Sequence, residues 1–108
     1  MTISVTGKQL SVGDALRSHA EAGLTSMAEK YFDHVIEAAA VFSREAHLYR
    51  ADLSVHVGHG ISFTAEAEAD EPFPAFDLAA ERLAKQLRRH KRKLRDHHRA
   101  EGPRTIRE

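Results

Sequence analysis

The sequence predicts an α+β fold with the order β-α-β-β-β-α, in which two helices pack on one face of a four-stranded mixed sheet. Four short segments alternate apolar and polar residues, which is typical of strands with a single buried face. Two longer segments carry apolar residues at spacings of three and four, which is typical of amphipathic helices. A length of 108 residues suits one domain. All six elements are therefore expected to share one core.

The N-terminal third of the chain contains the first strand and the first helix. Alternation over residues 2–6 predicts a short strand, and residues 7–11 turn the chain. Ser11 and Gly13 are both possible N-caps of the helix that follows. This helix is predicted from Asp14 to about Phe32, with one buried stripe formed by Leu16, Ala20, Leu24, Met27, Ala28 and Tyr31.

The middle of the chain predicts three further strands. The first lies in the β-prone run from Val35 to Arg44. The segments Ala51–Val57 and Ile61–Ala69 each place apolar side chains on one face and polar side chains on the other. Gly58-His59-Gly60 between them forms a tight hairpin loop. Because the first helix connects the first two strands, that pair is expected to be parallel with a right-handed crossover, and the other pairs antiparallel.

The last helix follows the segment Glu71–Pro74, which ends the fourth strand. The helix is predicted to run to about His97, because the tail beyond it contains Gly-Pro. The expected organisation is a folded domain over residues 1–98 and a short flexible tail over residues 99–108. The apolar residues of the helix form one stripe: Phe76, Ala80, Leu83, Leu87 and Leu94.

The charge of the chain is divided between its two parts. Residues 1–81 carry 5 Lys or Arg and 13 Asp or Glu, a net charge of −8. Residues 82–108 carry 11 Lys or Arg and 3 Asp or Glu, a net charge of +8. Such asymmetry favours a polyanion-binding segment. The acidic part would repel the same polyanion, so binding is expected in one orientation.

The positive charge is concentrated on the last helix. With Leu83 taken as the buried direction, nine basic residues coat about two-thirds of the helix surface: Arg82, Lys85, Arg88, Arg89, Lys91, Arg92, Lys93, Arg95 and Arg99. Like charges at helical spacing repel one another, and phosphate groups are their natural partners. A solvated helix end is the alternative interpretation. Only Asp96 is acidic between Arg82 and Arg99, so salt bridges along the helix do not explain the cluster.

Four segments carry a family resemblance: Thr6–Gln9 with Asp14–Arg17, Glu29–Asp33, Phe73–Asp77 and Arg82–Leu94. The last is the most specific, because its spacing, its Gln86 and its basic positions agree together. Over about residues 1–98, the chain resembles the ribosome hibernation-promoting factor and ribosome-associated inhibitor family. The resemblance implies the same β-α-β-β-β-α fold, which is similar to double-stranded RNA-binding domains.

The resemblance also implies a function. Members of the family bind the small ribosomal subunit and its rRNA near the decoding region and keep idle ribosomes inactive in the cytoplasm, without catalysis. Long members continue into a dimerising domain, so this chain is expected to be a short member or an isolated N-terminal domain. The RNA contacts carried over by position are Arg82, Lys85, Gln86, Arg89, Lys91 and Lys93, with Lys8 as a further candidate. Arg88 and Arg92 are added from the helical-wheel argument alone.

A general double-stranded RNA-binding or RNA-chaperone module stays open as an alternative function. An enzyme has little support, because Glu66 and Glu68 share a strand face without an apolar pocket to raise their pKa. The histidine pairs His56-His59 and His97-His98 lack a third ligand at fixed spacing. No cofactor, metal, small-molecule substrate or membrane span is predicted. The polar outer face of the sheet predicts a monomer when the chain is isolated.

Overall fold

The computed structural model describes residues 1–32, 34–58 and 60–107, with side chains described as far as residue 91. The elements occur in the predicted order β-α-β-β-β-α, so the fold prediction is confirmed. Their bounds are β1 (Thr2–Gly7), α1 (Asp14–Tyr31), β2 (Glu37–Glu45), β3 (Leu48–Gly58), β4 (Ile61–Ala69) and α2 (Pro72–Arg107).

The four strands form one mixed sheet in the order β1-β2-β3-β4. β1 pairs with β2 in parallel, and β2–β3 and β3–β4 are antiparallel, as predicted. The register aligns the inward-facing residues across the sheet, because Val5 lies opposite Ala40, Ala40 opposite Leu53, and Leu53 opposite Ala65. β1 and β4 are the two edge strands, and both therefore present backbone groups that no neighbouring strand pairs.

The core lies between this inner face and the two helices. Its buried apolar residues come from every element, and the predicted alternation of β3 and β4 is confirmed by their burial. The small side chains of Ala38, Ala40 and Ala51 let the helices approach the sheet, and Phe42 and Phe76 fill the centre. The largest fully buried side chains are Phe42, Phe76, Leu24, Leu53, Leu83, Leu87 and Val55.

The ends of α2 differ from their predicted positions. The helix begins at Pro72, and the Glu71 carbonyl accepts a hydrogen bond from the Ala75 amide at 3.1 Å. Pro72 and Pro74 therefore lie in the first turn. Backbone amides there make no hydrogen bond within the helix, so the amide protons that proline lacks are not needed. The C-terminal end was predicted near His97, and this was wrong for the backbone, since the helix continues to Arg107. The separation of a flexible tail from the domain stays a prediction.

The turns of the sheet use left-handed backbone conformations. Gly58 and Gly60 have φ values of 98° and 74°, which glycine adopts without strain. His59 between them lies outside the described residues.

Gly13 is the N-cap of α1, one of the two residues predicted. Its carbonyl oxygen accepts a hydrogen bond from the Arg17 amide at 3.0 Å.

Gly23 of α1 lies directly against the ring of Phe76 on α2. A Cβ atom on Gly23 would lie 2.8 Å from Cε2 of Phe76, well inside van der Waals contact. Phe76 is 2% exposed and packs against Phe42 with ring centroids 6.3 Å apart. The ring therefore has little room to withdraw.

We expect Gly23→Ala to destabilise the domain although alanine is the better helix former. The propensity gain is about 1 kcal/mol, whereas overpacking of a filled core costs about 1–3 kcal/mol. Chemical denaturation should show a net loss of roughly 1 kcal/mol. Ser26→Ala, an exposed change in the same helix, is the control and should stabilise slightly. A stabilised Gly23→Ala variant would contradict the close packing of α1 on α2.

Candidate nucleic-acid interface

α2 combines a buried stripe with an exposed basic surface. Leu83 and Leu87 are fully buried one turn apart, so they fix the rotation of the helix against the sheet. The residues between and around them are then forced outward by the 100° step of the helix. The predicted contacts on α2 that the structure describes as exposed are Arg82, Lys85, Arg88, Arg89 and Lys91, whereas Gln86 is half-buried.

Three of these residues form what we call the outer basic face: Lys85, Arg88 and Arg89. They span about 100° of the helix and are centred opposite Leu83. Within the side chains that the structure describes, none of the three donates a hydrogen bond or forms an ion pair. Their charges are available to a phosphate backbone. Each of the two guanidinium groups can bind one phosphate through two parallel hydrogen bonds.

Arg82 and Gln86 reach in another direction, toward the edge strand β4. Nη1 of Arg82 donates to the Glu66 carbonyl oxygen at 2.6 Å, and Nε2 of Gln86 donates to the Thr64 carbonyl oxygen at 2.7 Å. Sequence reasoning grouped both residues with the RNA contacts and missed these bonds. The signal was present in their position, because both flank the buried stripe on the same side of the helix.

Lys91 holds the opposite flank of α2 against α1. Its Nζ donates to the Lys30 carbonyl oxygen at 3.3 Å, and Lys30 lies in the last turn of α1. The last four carbonyls of a helix have no helical partner and carry partial negative charge. An ammonium group is a favourable partner there, so Lys91 links the two helices.

An aromatic cluster fixes α2 at the same end of the molecule. The His90 ring lies 4.9 Å from that of Phe63 and 6.0 Å from that of Phe32, measured between centroids. His90 therefore packs against the core, and Phe63 belongs to the inner strand face. The helix is thereby anchored from Phe76 to His90, which keeps the outer basic face rigid.

Of the remaining predicted contacts, Lys8 has a described side chain, and it lies apart from the outer basic face. Lys8 lines a groove with Ser43 and Arg50 on the outer face of the sheet, on the side of the sheet away from α2. The side chains of Arg92 and Lys93, like those of His97 and His98, lie outside the described residues, although the helical backbone passes through these positions.

The outer face of the sheet carries the acidic charge. Arg50 forms ion pairs with Asp52, at 3.0 Å, and with Glu66. The hydrogen bonds that Arg50 donates to Asp52 are the main cause that raises the pKa of the Arg50 guanidinium above its ordinary value, so this cation stays charged at all physiological pH values. Its charge is satisfied by two carboxylates and is not available to a phosphate. On α1, Glu21 and Glu29 line the exposed surface together with neutral residues.

Among the side chains described up to residue 91, no three His, Asp or Glu side chains converge as metal ligands. No helix in the described ranges has the length and apolar character needed to span a bilayer.

Comparison with known proteins points to one family. The chain matches the family described as Sigma 54 modulation protein / S30EA ribosomal protein over residues 3–95. The ribosome hibernation promotion factor of Rhizobium meliloti is 36% identical over 102 residues, which cover 94% of this chain and 54% of that protein. The chain thus spans about half the length of this relative. The ribosome hibernation promoting factor of Escherichia coli is 32% identical over 97 residues, which cover 90% of this chain and 100% of that protein.

A solved structure shows the same fold. The crystal structure of the Protein Y N-terminal domain of Thermus thermophilus superposes with a TM-score of 0.73 at 30% identity. The similarity covers 83% of this chain and 99% of that one. The family resemblance predicted from the sequence motifs is therefore confirmed.

Proposed function

Because the chain belongs to the Sigma 54 modulation protein / S30EA ribosomal protein family, we propose that it is a ribosome hibernation factor. It binds the small ribosomal subunit near the decoding region, in the cytoplasm, and keeps idle ribosomes inactive. The two relatives described above are named ribosome hibernation promotion factor and ribosome hibernation promoting factor. The proposed action is binding alone, and it needs no catalytic group, metal or cofactor.

The observation that carries this proposal is the outer basic face. Lys85, Arg88 and Arg89 lie on a helix anchored by two fully buried leucines. Three cations held on a rigid helix lose little conformational freedom when they bind phosphates. An rRNA backbone supplies phosphates at the density that such a face requires.

The proposed mechanism is steric. α2 holds rRNA phosphates while the sheet and α1 fill space that mRNA and tRNA would otherwise occupy. The acidic outer face, with Asp52, Glu66 and Glu68, is repelled by RNA and turns away from it. The charge division thus sets the orientation of the bound domain. The same polar face lacks the apolar centre of a stable interface, so we propose that the isolated chain is a monomer.

We expect the protein to co-sediment with the small subunit at one copy per particle, in a strongly salt-dependent way. With about five phosphate contacts, the slope of log K against log salt should be near −4. The measurement is sucrose-gradient sedimentation at several salt concentrations, with light scattering to establish that the free chain is monomeric. Duplex RNA of random sequence is the competitor.

Two results would contradict this proposal. A flat salt response would exclude phosphate binding as the source of affinity. Equal affinity for random duplex RNA and for the small subunit, with many copies bound per particle, would instead identify a general double-stranded RNA-binding module.

A further inference from the structure

Helix side chains cover backbone carbonyls on both edges of the sheet. Arg17 of α1 donates from Nη1 to the Val5 carbonyl oxygen of β1 at 2.8 Å. On the other edge, Arg82 and Gln86 of α2 donate to carbonyl oxygens of β4 at 2.6 and 2.7 Å. An open edge is a template for pairing with another strand, so both edges are protected by the same device.

The spacing on β4 is matched to the spacing on α2. Thr64 and Glu66 are two residues apart on a strand, a rise of about 6.7 Å. Gln86 and Arg82 are four residues apart on a helix, a rise of about 6 Å. Two donors one helical turn apart therefore meet two acceptors two residues apart on the strand. The helix and the strand run in opposite directions, since the higher-numbered donor meets the lower-numbered acceptor.

Both acceptors lie on the free side of β4. In an antiparallel strand the backbone groups of successive residues point to alternate sides, so those of Thr64 and Glu66 point the same way. The groups of Ala65 and Ala67 then point toward β3, where these residues lie opposite Leu53 and Ala51. Arg82 and Gln86 reach the row of carbonyls that no strand of this sheet can pair.

We propose that Arg82 and Gln86 are positioning residues that dock α2 along the free edge of β4 and close that edge, and that they are not phosphate contacts. Their docking holds α2 along this edge in the rotation that its buried leucines fix, with Lys85, Arg88 and Arg89 outward. The assignment of phosphate binding to those three residues rests on the proposed function. The closure of the edge does not, because it follows from contacts within the chain.

Methionine substitutions separate hydrogen bonding from packing and helix propensity. The double variant Arg82→Met and Gln86→Met keeps unbranched side chains of similar length and helix propensity, but it removes both donors and one positive charge. Arg89→Met on the outer basic face is the matched control, because it also removes one positive charge from the same helix. Arg82→Lys with native Gln86 restores a donor and the charge.

We expect the double variant to melt at least about 4 °C lower than the parent. Protection of the Ala65 and Ala67 amides against hydrogen exchange should fall about tenfold, since β4 loses its cover. The slope of log K against log salt for ribosome binding should stay unchanged. Arg89→Met should leave the melt and the β4 amides unchanged and reduce the magnitude of the slope by about 0.7–0.9. Arg82→Lys should recover most of the protection.

Unchanged protection of Ala65 and Ala67 in the double variant would overturn the proposal. So would a salt slope reduced as much as in Arg89→Met, because Arg82 would then be a phosphate contact. If the parent does not bind ribosomes, the proposed function fails, but the amide protection still decides whether α2 closes the edge.

Discussion

Replacing the outer basic face by alanine is expected to abolish most ribosome binding while the domain stays folded. Lys85→Ala, Arg88→Ala and Arg89→Ala together remove three exposed cations that point away from Leu83. Each charge-assisted contact is worth about a tenfold change in affinity. The triple variant should therefore bind ribosomes on the order of 10³-fold more weakly. Ribosome pelleting at physiological salt measures this loss, and inhibition of translation should fall in parallel.

A second variant tests whether the lower net charge by itself weakens binding. It changes the net charge by the same amount on the other side of the sheet. Thr2→Glu, Ser4→Glu and Thr64→Glu also lower the charge by three, and all three positions are exposed. This control should retain most of its affinity, since its new charges face away from the RNA. The stability of the alanine variant should equal or exceed that of the parent, because like-charge repulsion along α2 is relieved. Equal pelleting of the triple variant and the parent would refute the site.

Leu83→Ala is expected to have the opposite effect. Leu83 is a fully buried residue of α2. Its truncation should cost about 2–5 kcal/mol of stability by leaving a cavity. This is a large part of the free energy of unfolding of a small domain, which is about 5–15 kcal/mol. Binding should be lost only to the extent that the domain unfolds. Chemical denaturation gives the stability, and pelleting below the melting range gives the affinity.

An exposed leucine of the same helix provides the comparison. Leu78 is 41% exposed, so Leu78→Ala should change stability by less than about 1 kcal/mol. If Leu83→Ala weakened binding strongly while fully folded, the core of α2 would have a direct part in recognition, and the division between an anchoring stripe and a binding face would be wrong.

The sequence was sufficient to predict the order, pairing and inner face of the sheet. Period-two alternation in β3 and β4 indicates a face that must be buried, and the connection through α1 favours a parallel arrangement of β1 and β2. These features depend on local patterns and on chain connectivity. For the same reason, the apolar stripe that includes Leu83 and Leu87 was enough to predict which side of α2 faces the sheet.

The direction of the flanking side chains could not be predicted in the same way. A helical wheel shows that Arg82, Gln86 and Lys91 flank the buried stripe, but not which neighbouring element lies beside each flank. That depends on where β4 ends the sheet and where α1 ends beside α2. The ion pair between Arg50 and Glu66 was missed for a similar reason, because Glu66 meets Arg50 only across the paired strands β3 and β4.

The ends of α2 show the limit of local preferences. The segment that contains Pro72 and Pro74 was predicted to end the fourth strand ahead of the helix. Both prolines instead lie in the first turn of α2, where proline does not destabilise a helix. Gly102 and Pro103 were expected to end the helix, whose backbone continues past them. Propensity is a weak guide once a helix has been nucleated and extended.

The position of α2 in the chain has a consequence for biosynthesis. The β2–β3–β4 meander is joined by short turns and is assembled from local contacts, which form quickly. α1 precedes the meander in the chain, yet one side of it packs against α2, whose buried residues Phe76, Leu83 and Leu87 follow the meander. The side of α1 that faces α2 therefore stays exposed until α2 has left the exit tunnel. A factor whose proposed target is the ribosome thus completes the core of this domain only after a ribosome has synthesised α2.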